Sequence, residues 1–194
     1  MMRQHEIHRK THETEIRTAL NLDVPEPVAV YTQLPLFTHF LAALAKHSHL
    51  SWQISGQGDI EVDPHHLIED TGIVMGQALR GALADMRGIH RFGQRLLPMD
   101  DALILCALDI SGRGQLYWSG SFPDRPINGV NAEVWPEFFR AFASHAGITL
   151  HLVCQAGENA HHTYEAAFKA LGQALYEAVQ VGPSTDVPST KGVL

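Results

Sequence analysis

From His5 to Leu22 apolar and polar positions alternate with the period of two of an extended chain. The pattern predicts a pair of strands or one long bent strand, closed by a turn at Pro25 and Pro27. After Pro35 the period changes. In LFTHFLAALAKH the apolar residues recur every three or four positions, which predicts an amphipathic helix. A strand follows over LSWQISGQGDIEV, and Asp63-Pro64 then reads as a helix N-cap with proline in the first turn, so that His65 and His66 open a helix running to about Asp85. Residues 93–121 supply strand candidates broken at PMDD and SGRG. Pro136 opens a second amphipathic helix, ITLHLVCQAG is a strand, and Ala160-His161 opens the last helix. Residues 181–194 have no periodicity and are rich in proline and small residues, a composition that reads as disorder.

The same order of elements occurs twice. His65-His66-x-x-Glu69 returns as His161-His162-x-x-Glu165, 96 positions later (161 minus 65), and Gly76-Gln77-Ala78-Leu79 returns as Gly172-Gln173-Ala174-Leu175 at the same offset. Upstream, the segment from His39 to His47 matches that from Glu137 to His145 at an offset of 98 (137 minus 39). A period near 100 residues is domain-sized, far from the 20–50 of a solenoid. Each half reads as strand, helix, strand, helix with its strands paired outside. The expected fold class is therefore α/β, a two-repeat sandwich in which helices pack together against sheets. The divisions are a first half over 1–96, a second over 97–180, and a tail over 181–194.

Composition narrows the function. With 194 residues, 45% of them hydrophobic, the chain can bury an adequate core. Its apolar stretches fall short of a membrane span and its N-terminus has no signal-peptide core, so a cytoplasmic protein without a membrane partner is expected. A net charge of −7 argues against nucleic acid as a partner. Cys106 and Cys154 lie in apolar runs and read as buried, reduced thiols. The outlier is histidine, with 13 residues.

On a helix, positions i and i+4 lie one above the other. His65 can therefore share an ion with Glu69, and His161 with Glu165, whereas His66 and His162 point about 100° away and would serve a different ion, across a subunit contact for instance. Imidazole with carboxylate suits Mn, Fe or Zn, and the absence of cysteine argues against structural zinc. His39 and His151 are the expected additional ligands. A single His-His pair at a helix start is ordinarily a solvated terminus; two inside a demonstrable repeat point to metal. His5, His8, His12, His47, His49, His90 and His145 are read as surface or core histidines. The order His-His-x-x-Glu also differs from the His-Glu-x-x-His of metalloprotease helices.

Several further segments carry a family resemblance: Arg9-x-Thr11-x-Glu13-Thr14-x-Ile16, Glu69-Asp70-Thr71-Gly72-Ile73, Asp85-x-Arg87-Gly88-Ile89-x-Arg91-Phe92-Gly93, Pro98-Met99-Asp100, Leu108-Asp109-Ile110-Ser111-Gly112-Arg113, Phe168-Lys169-Ala170 and Pro188-Ser189-Thr190-Lys191-Gly192-Val193-Leu194. With the two His-His-x-x-Glu motifs they make the chain resemble imidazoleglycerol-phosphate dehydratases, enzymes of histidine biosynthesis, over nearly its whole length. The resemblance implies helices packed centrally between two β-sheets, of the ribosomal protein S5 domain 2 type. It also implies a large homo-oligomer, an octahedral assembly of trimers with inter-subunit active sites. Ser189, Thr190 and Lys191 match the family's substrate-binding tail, which holds a phosphate together with arginines matching Arg91 and Arg113.

By the same resemblance the chain is a hydro-lyase that converts imidazole glycerol phosphate to imidazole acetol phosphate. Two Mn²⁺ per site would stabilise an imidazolate, which expels the hydroxyl to give a diazafulvene before the neighbouring carbon loses its proton. Glu165 matches a ligand and candidate base, and Glu13 and Asp100 are the other candidate proton carriers. The chain departs from the family around His39, where Thr38 replaces Asp and Ala43 replaces Gln. Lost acidity there is expected to weaken ligand orientation. The alternative is a catalytically impaired paralogue acting as a metal-dependent assembly protein, and the intact Glu13, Arg91, Asp100, Arg113, Glu165 and Lys191 oppose it.

Overall fold

The computed structural model describes residues 2–194. The opening alternation is resolved as two strands, β1 (Gln4–Lys10) and β2 (Thr14–Asn21), because a tight turn at Thr11–Thr14 reverses the chain. There the Thr11 N–H donates to the Thr14 carbonyl (2.9 Å), and the Thr14 N–H to the Thr11 hydroxyl (3.0 Å). β3 (Ala29–Thr32), α1 (Pro35–Ser48), β4 (Ser51–Gly58) and α2 (Pro64–Leu83) complete the first half. The second half repeats the order with β5 (Phe92–Met99), β6 (Ala102–Ile110), β7 (Gln115–Gly120), α3 (Val134–Ala146), β8 (Ile148–Ala156) and α4 (Ala160–Val179). Each half forms one four-stranded sheet, ordered β1-β2-β4-β3 and β5-β6-β8-β7, antiparallel except for the parallel pairs β3–β4 and β7–β8.

Three boundaries differ from the expected ones, each for a local reason. β4 stops at Gly58 rather than continuing to Val62, because Asp59 donates its N–H to the Glu13 carbonyl (3.1 Å) and accepts from the Val62 N–H (2.8 Å), closing a turn. α2 ends at Leu83, where Ala84 takes a positive φ of 50°. α3 begins at Val134, so Pro136 sits inside the first turn, where its missing N–H has no intrahelical partner to lose. Pro98 is tolerated in β5 because that strand is a sheet edge.

The tail is the main correction to the compositional reading. It is docked rather than disordered. The Gly88 N–H donates to the Asp186 carbonyl (2.9 Å), the Gly182 N–H to the Gly88 carbonyl (2.7 Å), and Arg91 Nη1 to the Pro188 carbonyl (2.8 Å). Backbone groups of the connection between the halves hold the segment, and such bonds leave no apolar period in the sequence.

The helices form a layer between the sheets, and they pair across the halves, α1 with α4 and α2 with α3. Phe37 and Phe40 of α1 meet Phe138 of α3 and Phe168 of α4 at ring separations of 5.7 Å for Phe37–Phe138 and 5.3 Å for Phe40–Phe168, all four fully buried. One main hydrophobic core therefore serves both halves, beside a small separate cluster of Ile16, Leu67 and Val74. Under the first sheet Asp70 is held by Arg9 and the Thr14 hydroxyl, whereas Leu97, Ala102 and Ala166 occupy the matching places of the second half. Cys106 and Cys154 are buried and unpaired.

The cross-half contacts are close because glycine is on one side. A Cβ at Gly172 would lie 2.5 Å from the Leu44 carbonyl oxygen, and one at Gly76 would lie 2.6 Å from that of Phe142. Gly172→Ala should lower stability by about 1–3 kcal/mol through overpacking, even though alanine favours the helix by about 1 kcal/mol. A urea midpoint equal to that of the parent protein would show that α1 and α4 do not meet at this distance.

Candidate metal centre and phosphate clamp

Both His-His-x-x-Glu motifs sit on capped helix starts. Asp63 accepts the His65 N–H at α2 (2.7 Å), and Asn159 accepts those of His161 and His162 at α4 (2.9 and 3.3 Å). The helical period then stacks His161 Nε2 over Glu165 Oε2 at 3.1 Å and His65 Nε2 over Glu69 Oε2 at 3.3 Å.

The α1–α4 contact adds a third ligand to the α4 pair. His39 Nε2 lies 3.3 Å from Glu165 Oε2, and its ring stacks on that of His161 at 5.5 Å. The donor atoms of His39, His161 and Glu165 lie within 4.8 Å of one another, the only such group of three among the described residues. Two imidazole nitrogens and a carboxylate oxygen fit a divalent ion of the Mn, Fe or Zn type. At the α2 end Glu137 stands in the repeat where His39 stands, and no third ligand joins His65 and Glu69. His151 is not brought to any of these helices. Its neighbours Leu150 and Leu152 face the core, so it points from the outer face of β8 and stacks on Tyr117 at 4.5 Å.

The second histidine of each pair turns away, as its 100° step requires. His66 Nδ1 meets Asp59 (3.0 and 3.2 Å), and His162 Nδ1 meets Asp101 (2.6 Å). These hydrogen bonds raise the pKa of both histidines against the opposing effect of burial. Glu13 lies in the β1–β2 turn beside Asp59, and Asp100 in the β5–β6 turn with Oδ2 3.6 Å from His162 Nε2. Glu165 has another neighbour, Lys169, with Nζ 2.8 Å from Oε1.

The tail lies between the two arginines. Arg91, at a positive φ of 73°, is gripped by both carboxylate oxygens of Asp109 (2.7 and 3.2 Å) and bonds the Pro188 carbonyl next to Ser189. The far end returns to the loop carrying Arg113, where a Cβ on Gly112 would come within 2.9 Å of the Leu194 backbone. Between them Ser189, Thr190 and Lys191 form a turn, with the Lys191 N–H on the Ser189 hydroxyl (3.2 Å). Sequence reasoning missed Asp59, Asp101, Asp109 and Lys169. Only Lys169 had a local signal, its i+4 spacing from Glu165; the carboxylates reach their partners through the fold.

The altered residues near His39 are locally accommodated. The Thr38 hydroxyl accepts the Thr32 N–H (2.8 Å) and bonds the Thr32 hydroxyl (2.9 Å), joining β3 to α1. It is thereby committed to the backbone connection and not to the His39 ring.

Comparison with known proteins gives one answer. Residues 32–175 match the family model for imidazoleglycerol-phosphate dehydratase. The chain is 48% identical over 195 residues to the imidazoleglycerol-phosphate dehydratase of Roseobacter denitrificans and 46% identical over 194 residues to that of Streptococcus sanguinis, with 100% of both chains covered in each case. Among solved structures it is similar to the enzyme from Pyrococcus furiosus, with a TM-score of 0.85 at 36% identity over 97% of this chain and 100% of that one. The Staphylococcus aureus structure gives 0.82 at 33% identity over 92% and 99%.

The buried Glu165 has a measurable signature. Burial pushes its pKa up, but hydrogen bonds and positive charge from Lys169 and His39 outweigh burial and hold it below the ordinary value of 4.5. Its contribution to stability is present above the unfolded pKa and is lost as pH falls through the lower folded pKa. In metal-free protein, stability should therefore drop as pH falls below about 4–5, and Glu165→Gln should flatten that limb of the profile. An unchanged acid limb in the Gln variant would show that the carboxylate is not stabilised by these neighbours.

Proposed function

The chain belongs to the imidazoleglycerol-phosphate dehydratase family of hydro-lyases in histidine biosynthesis, and we propose that its own reaction is the conversion of imidazole glycerol phosphate to imidazole acetol phosphate at a site built around His39, His161 and Glu165. The observation that carries this reading is the convergence of those three donors, from two helices, at the start of α4.

In outline, a C–O and a C–H bond on adjacent carbons break, water leaves, and the resulting enol becomes the ketone. The proton is not next to a carbonyl, so the imidazole ring of the substrate must act as the electron source for loss of the hydroxyl. Mn²⁺, two per active site, would supply Lewis acidity at the ring nitrogens and a fixed orientation. His39, His161 and Glu165 would hold one ion. His65, Glu69 and the outward-facing His66, His162 and His151 would hold ions together with residues of neighbouring subunits, in an octahedral assembly of trimers.

The remaining work falls to this chain's side chains. Glu165, Glu13 and Asp100 carry protons, the last being beside His162. Arg91, Arg113, Ser189, Thr190 and Lys191 hold the phosphate, for which guanidinium forks and an ammonium are suited donors. Asp109 sets the Arg91 fork, and through Pro188 that fork sets the tail. The competing reading is an impaired paralogue acting as a metal-dependent assembly protein, motivated by Thr38 and Ala43. Against it stand the convergent His39, His161 and Glu165 and the intact Glu13, Arg91, Asp100, Arg113 and Lys191. A cytoplasmic location suits a biosynthetic enzyme, and no described helix is long and apolar enough to cross a membrane.

Turnover of imidazole glycerol phosphate by Mn²⁺-reconstituted protein tests the proposal directly; protein that binds Mn²⁺ and does not turn over would favour the assembly reading. Two variants separate ligand from base. His161→Ala should lower metal occupancy first, with activity following, whereas Glu165→Gln should keep metal near stoichiometric and lower kcat by about 10²-fold or more. Near-normal kcat with full metal in Glu165→Gln would move the base to Glu13 or Asp100.

Removal of residues 189–194 should leave the fold and metal content nearly intact, because the segment adds little to the core, and should raise KM strongly. A truncated enzyme with the parent KM would refute the phosphate clamp.

A further inference from the structure

The second histidine of each motif carries a device that the repeat did not copy. Asp59, which meets His66, lies in the connection between β4 and α2; Asp101, which meets His162, lies in the turn between β5 and β6. When the halves are matched strand by strand, Glu158 stands where Asp59 would recur and Glu13 stands where Asp101 would have its counterpart, so each half carries an acid at both positions and turns a different one to its histidine. The two halves thus place a carboxylate on the same ring atom, Nδ1, from topologically unrelated loops. Each half thus uses a different one of two acids for the same contact, which points to a shared chemical requirement at Nδ1.

A carboxylate at Nδ1 can only accept a hydrogen bond, so the neutral ring must carry its proton there. The lone pair is then at Nε2. Both carboxylates are themselves fixed. Asp59 is pinned through its backbone N–H to the Glu13 carbonyl and its carbonyl to the Val62 N–H. Asp101 uses its other oxygen to accept the N–H groups of Glu158 (2.6 Å) and Asn159 (2.8 Å), just before α4. The first histidines differ: His65 and His161 turn Nε2 toward the glutamate of their own helix.

We infer that Asp59 and Asp101 are positioning residues, which hold His66 and His162 as the Nδ1–H tautomer with Nε2 presented outward as a metal ligand. This rests on the metal-dependent reading above. Carboxylates behind a ligating imidazole fix its orientation and raise its basicity, and their loss ordinarily weakens metal affinity by about 10–100-fold. The two sites differ in one respect. Asp101 also anchors the residues before α4, so its removal disturbs His161 and Glu165 as well, while the Asp59 carboxylate bonds only His66 among the described hydrogen bonds.

The test is a Mn²⁺ titration of the assembled protein, with free Mn²⁺ read by electron paramagnetic resonance and the melting temperature taken in parallel on metal-free samples. Asp59→Ala should raise the Kd of one class of sites by about 10–100-fold with little change in melting temperature. Asp59→Asn, which keeps an oxygen able to accept the Nδ1–H, should recover much of that loss. Asp101→Ala should weaken binding and also lower the melting temperature, and Asp101→Asn should again be milder. Should Asp101→Ala fail to fold, the Asp59 pair and Asp101→Asn decide the matter. Unchanged Mn²⁺ affinity in Asp59→Ala, or a loss that Asn does not relieve, would overturn the assignment. If the parent protein itself binds no Mn²⁺, the metal-dependent reading fails first and this one with it.

Discussion

The close crossing of α1 over α4 sets the position of everything at the candidate metal centre. Gly172 lets the α4 backbone approach Leu44 and Ser48 of α1 more closely than a Cβ would allow. Five residues N-terminal of Leu44, the same crossing brings His39 over the first turn of α4. Two candidate ligands given by the helical period thereby become three. The aromatic core formed by Phe37, Phe40, Phe138 and Phe168 fixes the crossing from below, so ligand geometry and core packing are one constraint.

The pseudo-equivalent crossing of α2 over α3 uses Gly76 in the same way and yields a different result. Its third position is Glu137, which pairs with Arg140. Half of a site remains, made of His65 and Glu69. The duplication supplied a scaffold with two similar helix starts, and divergence at one α-helical position made them chemically unequal. The same divergence appears under the sheets, where apolar residues take the places of the half-buried Arg9–Asp70 pair in the second half. The pair's place next to Glu69 ties α2 to β1 and to the turn carrying Glu13.

The proposed phosphate clamp follows a different logic. No helix or sheet face carries the tail; it is fixed by backbone bonds to residues 88–91 and by the Arg91 fork. Arg91 is held in a left-handed backbone conformation by two bonds, its N–H to the Ala178 carbonyl and its carbonyl to the Ile110 N–H. The guanidinium is consequently presented from a rigid junction between α4 and β6, while the tail that it holds stays exposed.

Much of this was legible in the chain itself. Periods of two and of three to four residues located all four helices and most strands, though not the short β3, and the 96-residue repeat gave the two halves. The i, i+4 spacing paired His65 with Glu69 and His161 with Glu165, because these are consequences of local geometry. The family resemblance added the dehydratase assignment and the expectation that the tail binds substrate. What sequence could not decide is which distant residues meet. His39 and Glu165 are joined only by a helix crossing, Asp59 and Asp101 reach their histidines from unrelated loops, and Arg91 meets Asp109 across adjacent strands. His151 lies on a separate outer face for the same reason. A repeat in sequence fixes local conformation in both copies, but long-range partners depend on how the halves interlock, which no local period records.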